Sequence, residues 1–475
     1  MLMKIFTAAL AIRWVYALLL FATMGDAGLQ TVDSETYIGD AHRLAEALET
    51  GTLYGANWLG FGIFTMPLFA WFIGLHALLF GKWAALAYVL TQGALDAGTC
   101  LLTYGIAQTL NPRISVPAAI AAAFNPTQIV LSGLILTDTP FVFCVALFLF
   151  AAARWLKAPV WRWAIIAGIA IAAAAMIRAL IVPWAAFLLV FLFMVALIRG
   201  HSTRNVVAQL AVTATLVALS IAPVLWRNVS QYGAWALTSQ SGIHLAYWIV
   251  PLVQEARDGT PWPVGHERMR KEMDERFPTE SDNPFEQSRR YETLAREKLA
   301  ELGPIAIAKA WLYGAAINLA SPAVTLSPVV SGLPRTGFYA TPGTSFPNKV
   351  FNFLFRSDNA IYAWILILGI AGLAVVRLIQ LIGLSALAGE VTNWAILLLF
   401  FFWACFVLAA SGPVASPKYR LPIEPVLMVL AGAGIHRLSF AHAKRRRARI
   451  DSGRRLLLLH DGQQPEGEKA AKHRL

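Results

Sequence analysis

The chain is predicted to be an all-α, polytopic membrane protein, and three observations predict it. Of its 475 residues, 57% are hydrophobic and only 14% charged, whereas a soluble globular domain carries roughly 25% charge. Its mean hydropathy is +0.58. Apolar segments long enough to cross a hydrocarbon core of about 30 Å, which takes roughly 20 helical residues, recur from one end of the chain to the other.

Ten segments read as spans: 5–24, 84–109, 114–136, 139–156, 163–180, 181–198, 206–226, 360–378, 391–411 and 421–437. The first follows Lys4 and has the look of a secretory signal, but Arg13 interrupts it, so it is expected to be an uncleaved span. Two further segments are ambiguous: 62–80 contains Pro67 and His76, and 304–320 contains Lys309 and Asn318. Charge placement arbitrates. With ten spans and the N-terminus inside, the links holding Arg113, then Arg154, Lys157 and Arg162, then Arg199 and Arg204, and finally the basic tail all lie in the cytoplasm. Counting 62–80 as a complete span would put the middle three outside. Both ambiguous segments are therefore expected to be juxtamembrane or partly inserted helices in the outer interface.

That topology leaves two outer loops, about 25–82 and 227–359, with both termini cytoplasmic. Residues 1–437 form one transmembrane module without internal repeats, and 438–475 a basic tail expected to be disordered. The net charge of +12 is densest at Lys444, Arg445, Arg446, Arg447 and Arg449, just after the last span. Positive-inside retention and anionic headgroups account for such a run, so no nucleic-acid partner is expected. Cys100, Cys144 and Cys405 all fall in apolar segments, where they read as packing residues, not as a metal or disulfide framework.

Three polar constellations interrupt this pattern. After the first span comes Val32-Asp33-Ser34-Glu35-Thr36-Tyr37, which puts acids at the membrane surface. A carboxylate there can serve as general base towards a hydroxyl or amine; the alternative is that Asp33 or Ser34 caps a helix beginning nearby. The second is Leu136-Thr137-Asp138-Thr139-Pro140, at the outer end of a span, which also reads as an ordinary helix start. The third is cationic: Trp226-Arg227-Asn228 and Ser416-Pro417-Lys418-Tyr419-Arg420-Leu421-Pro422-Ile423-Glu424-Pro425. Cations in short outer links run against the usual bias and suit a phosphate. Within the spans, Arg13, Asp96 and Arg178 are costly enough to need a partner or a role. Arg13 pairs naturally with Asp96, and Arg178, near the outer end of its span, is placed to line a cavity.

In this order and spacing, the Asp33 motif with Tyr37, Leu136-Thr137-Asp138, Pro223-Val224-Leu225-Trp226-Arg227-Asn228 and Tyr419-Arg420-Leu421-Pro422-Ile423-Glu424-Pro425 resemble the GT-C glycosyltransferases. The resemblance extends from about Lys4 to Arg437, and points to the bacterial branch related to dolichyl-phosphate-mannose protein mannosyltransferases (glycosyltransferase family 39) and the lipid A aminoarabinose transferase. It implies a GT-C-like bundle in the bacterial inner membrane. The implied enzyme moves a hexosyl or pentosyl group from a polyprenyl-phosphate sugar to a periplasmic acceptor: lipid A or lipopolysaccharide, another envelope glycan, or a protein.

By that resemblance Asp33 is the base and Asp138 a second acid, while Arg227, Lys418, Arg420 and Arg178 are the candidates for the donor phosphate. The family often has two adjacent acids in this loop. Here Ser34 separates Asp33 from Glu35, so Glu35 stays a candidate for the base. The resemblance makes no cofactor certain and leaves a divalent cation open. Neither a phosphate-cradling G-x-x-x-x-G-K-[ST] loop nor a dinucleotide fingerprint is present.

Two other functions use similar ingredients. A transporter or lipid flippase predicts inverted repeats and ionisable groups at mid-membrane. An O-antigen ligase-like transferase with a diphosphate-linked donor predicts a dense arginine cluster in the large outer loop. Arg268, Arg270, Arg276, Arg289 and Arg290 are there, but interleaved acids make them read as a solvated helix face.

Overall fold

The computed structural model describes residues 1–52, 63–334, 341–356, 360–390, 393–440 and 442. The basic run from Lys444 to Arg449, and with it most of the expected tail, lies outside the described residues, as do parts of both outer loops. Among the described residues there is no strand. The helices are α1 (Leu2–Met24), α2 (Val32–Glu49), α3 (Pro67–Phe80), α4 (Ala84–Leu110), α5 (Ser115–Ala123), α6 (Pro126–Ser132), α7 (Asp138–Lys157), α8 (Trp161–Ile177), α9 (Ile181–Ile198) and α10 (Thr203–Tyr232). There follow α11 (Gln240–His244), α12 (Val250–Asp258), α13 (Trp262–Arg276), α14 (Pro284–Leu302), α15 (Pro304–Ala320), α16 (Pro328–Ser331), α17 (Phe346–Phe355), α18 (Ala360–Ala388), α19 (Trp394–Ser411) and α20, over 424–440.

Eight stretches of described helix are long and apolar enough to cross a membrane, or ten if each of two bent pairs counts as one span. The ten expected spans map onto these eight, onto the bent pair α5–α6, and onto the 17-residue α8. The chain is thus an all-α polytopic membrane protein. One expected span differs in form: 114–136 is not continuous. Asn125 caps α6 by accepting from the Thr127 N–H at 2.9 Å, and Pro126 has no N–H to offer the preceding turn, so the axis bends by 47°. The second bend, 103° between α14 and α15, falls at Gly303, whose φ of 84° a side chain would resist. The ambiguous segments 62–80 and 304–320 contain α3 and α15. The first packs on α2, α4 and α8, the second on α12, α19 and the 3₁₀ turn Pro417–Ile423.

The spans α1, α4, α7, α8 and α10 pack side by side in that order, with α5–α6 and α9 outside the row. Small residues permit this without a hydrophobic drive between helices in lipid. α8 is largely Ala and Gly along its packed face, and a Cβ on Gly383 of α18 would stand 1.9 Å from the Leu430 carbonyl of α20. Aromatic edges fill the middle: Trp403 lies 5.2 Å from Phe148 and 5.0 Å from Trp184, both edge-on. Arg13 and Asp96 form the expected pair at 2.5 Å. The guanidinium also donates to the carbonyls of Ala9, Ala122 and Ala123, and Gln128 donates to the other Asp96 oxygen. This buried charge is fully paired, so it clamps α1 to α4 and to the α5–α6 bend, in keeping with the rule that membrane charges find partners.

Beyond α10 the polar helices build a separate lobe. α11–α14 enclose a small core of Ala246, Val250, Met269, Met273, Leu294 and Ala295. Gly242 lets α11 touch α14 closely enough for its N–H to reach Ser288 Oγ at 3.0 Å. Three arginines of this lobe are paired on its surface, Arg270 with Glu267, Arg276 with Glu297 and Arg289 with Glu286.

Candidate active site

The first acid is set by the start of α2. Thr31 is the N-cap residue, and Ser34 closes the capping box by accepting from the Thr31 N–H at 2.8 Å. The cap is therefore made by Thr31 and Ser34, and Asp33 plays no part in it. The Ser34 hydroxyl also donates to the Ile135 carbonyl at 2.7 Å, tying α2 to the segment that carries the second acid. Asp33, its side chain about half exposed, instead pairs with Lys418 Nζ. Glu35, two residues on, points to a different side of the helix, where it is exposed.

Residues 133–137 are non-helical, and four neighbours hold them. The Ile135 N–H donates to the Leu29 carbonyl at 2.8 Å, Tyr88 OH reaches the Leu136 carbonyl at 3.3 Å, and Gln92 Nε2 donates to the carbonyls of Ser132 and Leu134. Ser34 is the fourth. This anchoring delivers Thr137 and Asp138 to the first turn of α7. Thr137 makes no capping bond with its side chain; its hydroxyl accepts from Arg178 Nε at 2.8 Å and Nη2 at 2.6 Å, and Asp138 Oδ2 accepts from the same Nη2 at 2.6 Å. Arg178 occupies the break between α8 and α9 and also lies over the Phe141 ring. Asp138 is buried, and its Oδ1 has no hydrogen-bond partner among the described residues. A buried acceptor left open in this way normally has something to accept from.

Lys418 comes from the 3₁₀ turn before α20. Asn318, inside α15, fixes that turn by accepting from the Ser416 N–H at 2.7 Å and donating to the Val414 carbonyl. Lys418 lies within charge range of Asp138 as well as Asp33. Tyr419 next to it is electrostatically coupled to Lys418, Asp138, Asp33 and Arg178. Tyr37, one turn after Asp33, stands edge-on to Phe69 at 4.9 Å and faces Thr137, Arg178 and Asp138. Burial pushes its phenol up, so the hydroxyl keeps its proton.

Asp33, Asp138, Arg178 and Lys418 therefore converge. Two other expected residues stand differently. Arg420 is buried, and its fork is spent on Glu424 at 2.6 Å, the carbonyls of Asn318 and Ser321, and Thr127 Oγ1. These contacts join α6, α15 and α20 through one guanidinium, whereas Lys418 is the more exposed cation of the motif. Arg227 is buried near the end of α10, where its Nε donates to Asn228 Oδ1 at 2.9 Å. It lies one turn beyond Val224, which packs in a cluster with Met176 and Ala179, close in sequence to Arg178.

The sequence reading passed over Thr137 as a ligand of Arg178 and over Tyr37 and Tyr419 as site residues. Tyr37 carried a usable signal, since a residue four after Asp33 lies on the same helix face. No group of three or more His, Cys, Asp or Glu side chains suited to a metal occurs among the described residues. A cavity of about 230 Å³ on the polar lobe, lined by Gln254, Arg257, Arg268, Glu272, Lys298 and Glu301 among others, shares no residue with the ion-pair site.

The architecture and site define a polytopic helical membrane protein with paired charges gathered where several spans end. Residues 65–226, about a third of the chain, match the sequence profile of the dolichyl-phosphate-mannose-protein mannosyltransferase family. No curated protein matches in sequence. Among solved structures, the apo oligosaccharyltransferase of Archaeoglobus fulgidus superimposes over 94% of this chain and 52% of its own, with a TM-score of 0.50 and 14% identity. The chain thus spans about half the length of that relative. ArnT from Cupriavidus metallidurans bound to undecaprenyl phosphate aligns over 91% of this chain and 77% of its own, with a TM-score of 0.35 and 14% identity. The chain resembles the GT-C glycosyltransferases, in fold along nearly its whole length and in sequence over one segment.

Proposed function

We propose that the protein is a GT-C-type glycosyltransferase that moves a hexosyl or pentosyl group from a polyprenyl-phosphate donor to an acceptor on the outer face of the bacterial plasma membrane. The acceptor is a glycolipid such as lipid A, another envelope glycan or a protein. The observation that carries this reading is the convergence of two acid–cation pairs from four distant stretches of chain, Lys418 and Asp33 being 385 residues apart.

Each group has a task in such a transfer. The acceptor oxygen or nitrogen attacks the anomeric carbon, the bond from that carbon to the phosphate oxygen breaks, and its electron pair leaves with the polyprenyl phosphate. Asp33 takes the acceptor proton. Lys418, Arg178 and Arg227 offset the charge that grows on the phosphate. Lys418 rests on Asp33 in the present structure. A phosphate beside Lys418 would compete for the ammonium and leave the carboxylate free to face the acceptor.

Membranes supplied with a panel of radiolabelled polyprenyl-phosphate sugars test the reading. Wild-type protein is expected to transfer one of them. Asp33→Asn keeps the shape but loses the basicity, so transfer should fall by roughly a hundredfold to ten-thousandfold with stability in detergent unchanged. Glu35→Gln should stay near wild type. Normal turnover by Asp33→Asn rejects the assignment, and normal turnover by the double variant rejects acid catalysis from the first loop.

A further inference from the structure

Between α11 and α12 the chain makes five residues of π-helix, Leu245–Ile249. Such turns hold one residue too many for an α-helix and occur mostly where function requires a side chain to be re-aimed. This one carries Tyr247 and Trp248. Trp248 is 44% exposed and stacks on Trp262 of α13 at 4.8 Å and 27°. Trp262 is tilted against His266 at 5.1 Å, Tyr247 against His266 at 4.9 Å, and Tyr247 stands edge-on to Tyr291 of α14 at 5.2 Å. Trp262 Nε1 donates to the Tyr247 carbonyl at 3.2 Å and so fixes the plane of the stack. Five rings from three elements form one ledge, and the exposed Glu267–Arg270 pair lies on the helix that supplies two of them.

A membrane belt is the ordinary place for exposed tryptophan, but α13 and α14 are unsuited to it. Their surfaces carry the ion pairs Arg276–Glu297 and Lys298–Glu272, which belong in water. An aromatic surface beside charged hydrogen-bonding groups, on a water-facing lobe, fits a carbohydrate. The C–H face of a sugar ring is apolar and slightly positive and lies well on a π face, while its hydroxyls need polar neighbours. The ledge also connects to the ion pairs. His244 precedes the π-turn and lies within charge range of Lys418. Leu245 and Tyr419, the residues after these two, both pack on the cluster of Ile249, Val253 and Val414.

We propose that the Trp248–Trp262 ledge, with Tyr247, His266 and Tyr291, is a saccharide-binding site that holds the carbohydrate of the acceptor at the edge of the ion-pair site. The saccharide site stands on the geometry of the ledge; its use for an acceptor rests on the transferase reading. Saturation-transfer NMR on the full-length protein in nanodiscs, with irradiation of the aromatic protons, tests it. The probes are chitotetraose, mannotetraose and the core oligosaccharide of lipopolysaccharide, with no donor present.

At least one probe is expected to receive saturation at its ring C–H protons. Trp248→Ala should weaken that binding roughly tenfold, while Trp248→Phe, which keeps a ring, should cost little. Equal binding by wild type and Trp248→Ala, binding of none of the three probes, or saturation passing to lipid headgroups instead would each overturn the proposal. The measurement uses no donor, so it is read separately from the transferase assay, whose own failure is the lack of donor-dependent product.

Discussion

Arg420 and Lys418, two residues apart, show that neighbouring cations in one motif do different physical work. Arg420 is enclosed, and its partner Glu424 is equally enclosed, with Asn125 as its other contact. Removing one member of such a pair leaves a buried charge uncompensated at a cost of about 3–5 kcal/mol. Arg420→Ala is therefore expected to lower the melting temperature in detergent strongly while leaving the donor KM of the folded fraction unchanged. Lys418 and Asp33 are partly exposed, and pairs of that kind are worth at most about 1 kcal/mol. Lys418→Ala should accordingly melt near wild type but bind donor about tenfold to a hundredfold more weakly, the value of a charge-assisted contact. The opposite pattern, in which stability follows Lys418 and donor affinity follows Arg420, would return Arg420 to the phosphate.

The decisive elements are short ones that long spans hold in place: the first turn of α2, the non-helical 133–137 strip, the 3₁₀ turn at 417–423 and the π-turn at 245–249. Each is fixed by bonds from a neighbour, as Ser34 fixes Ile135 and Asn318 fixes Ser416. The segment around α11 also carries a proton-linked consequence. Burial first, and Lys418 second, hold the His244 imidazolium pKa below its ordinary value of 6.5. The unfolded chain then binds a proton near pH 6.5 that the folded chain does not. His244 is thus neutral to stability well above pH 6.5 and destabilises the fold as pH falls through that value. Thermal melts at pH 7.5 and 5.5 should show a loss on acidification that is smaller in His244→Gln. An identical loss in the variant would mean that His244 is not the group responsible.

Over the whole molecule, the placement of charge predicts the orientation. The short links with Arg154, Lys157 and Arg162, and with Arg199 and Arg204, are expected in the cytoplasm, and the lobe of α11–α14 and the ion-pair site are then expected outside. Single cysteines in a variant lacking Cys100, Cys144 and Cys405 test this. Ser281→Cys on that lobe is expected to react with an impermeant maleimide in intact cells, whereas Ala158→Cys and His201→Cys should react only after permeabilisation. Labelling of the two link positions but not of the lobe would invert the topology and remove the outward-facing site with it.

The sequence by itself determined the class of molecule, because crossing hydrocarbon demands long apolar helices whose composition is visible residue by residue. It also brought Asp33, Asp138, Arg178 and Lys418 to notice, since charges at span ends are conspicuous against an apolar background. It paired Arg13 with Asp96 for the same reason. What only the tertiary structure decided was which conspicuous residues meet. Arg420 and Lys418 look alike in one dimension, but one turns inward to Glu424, α15 and α6 and the other outward to Asp33. The cap of α2 passed to Thr31 and Ser34, so that Asp33 was left for Lys418. The aromatic ledge around Trp248 was likewise settled by packing. Hydropathy and spacing report how each side chain partitions between water and lipid, whereas a site depends on contacts across hundreds of residues that folding alone brings together.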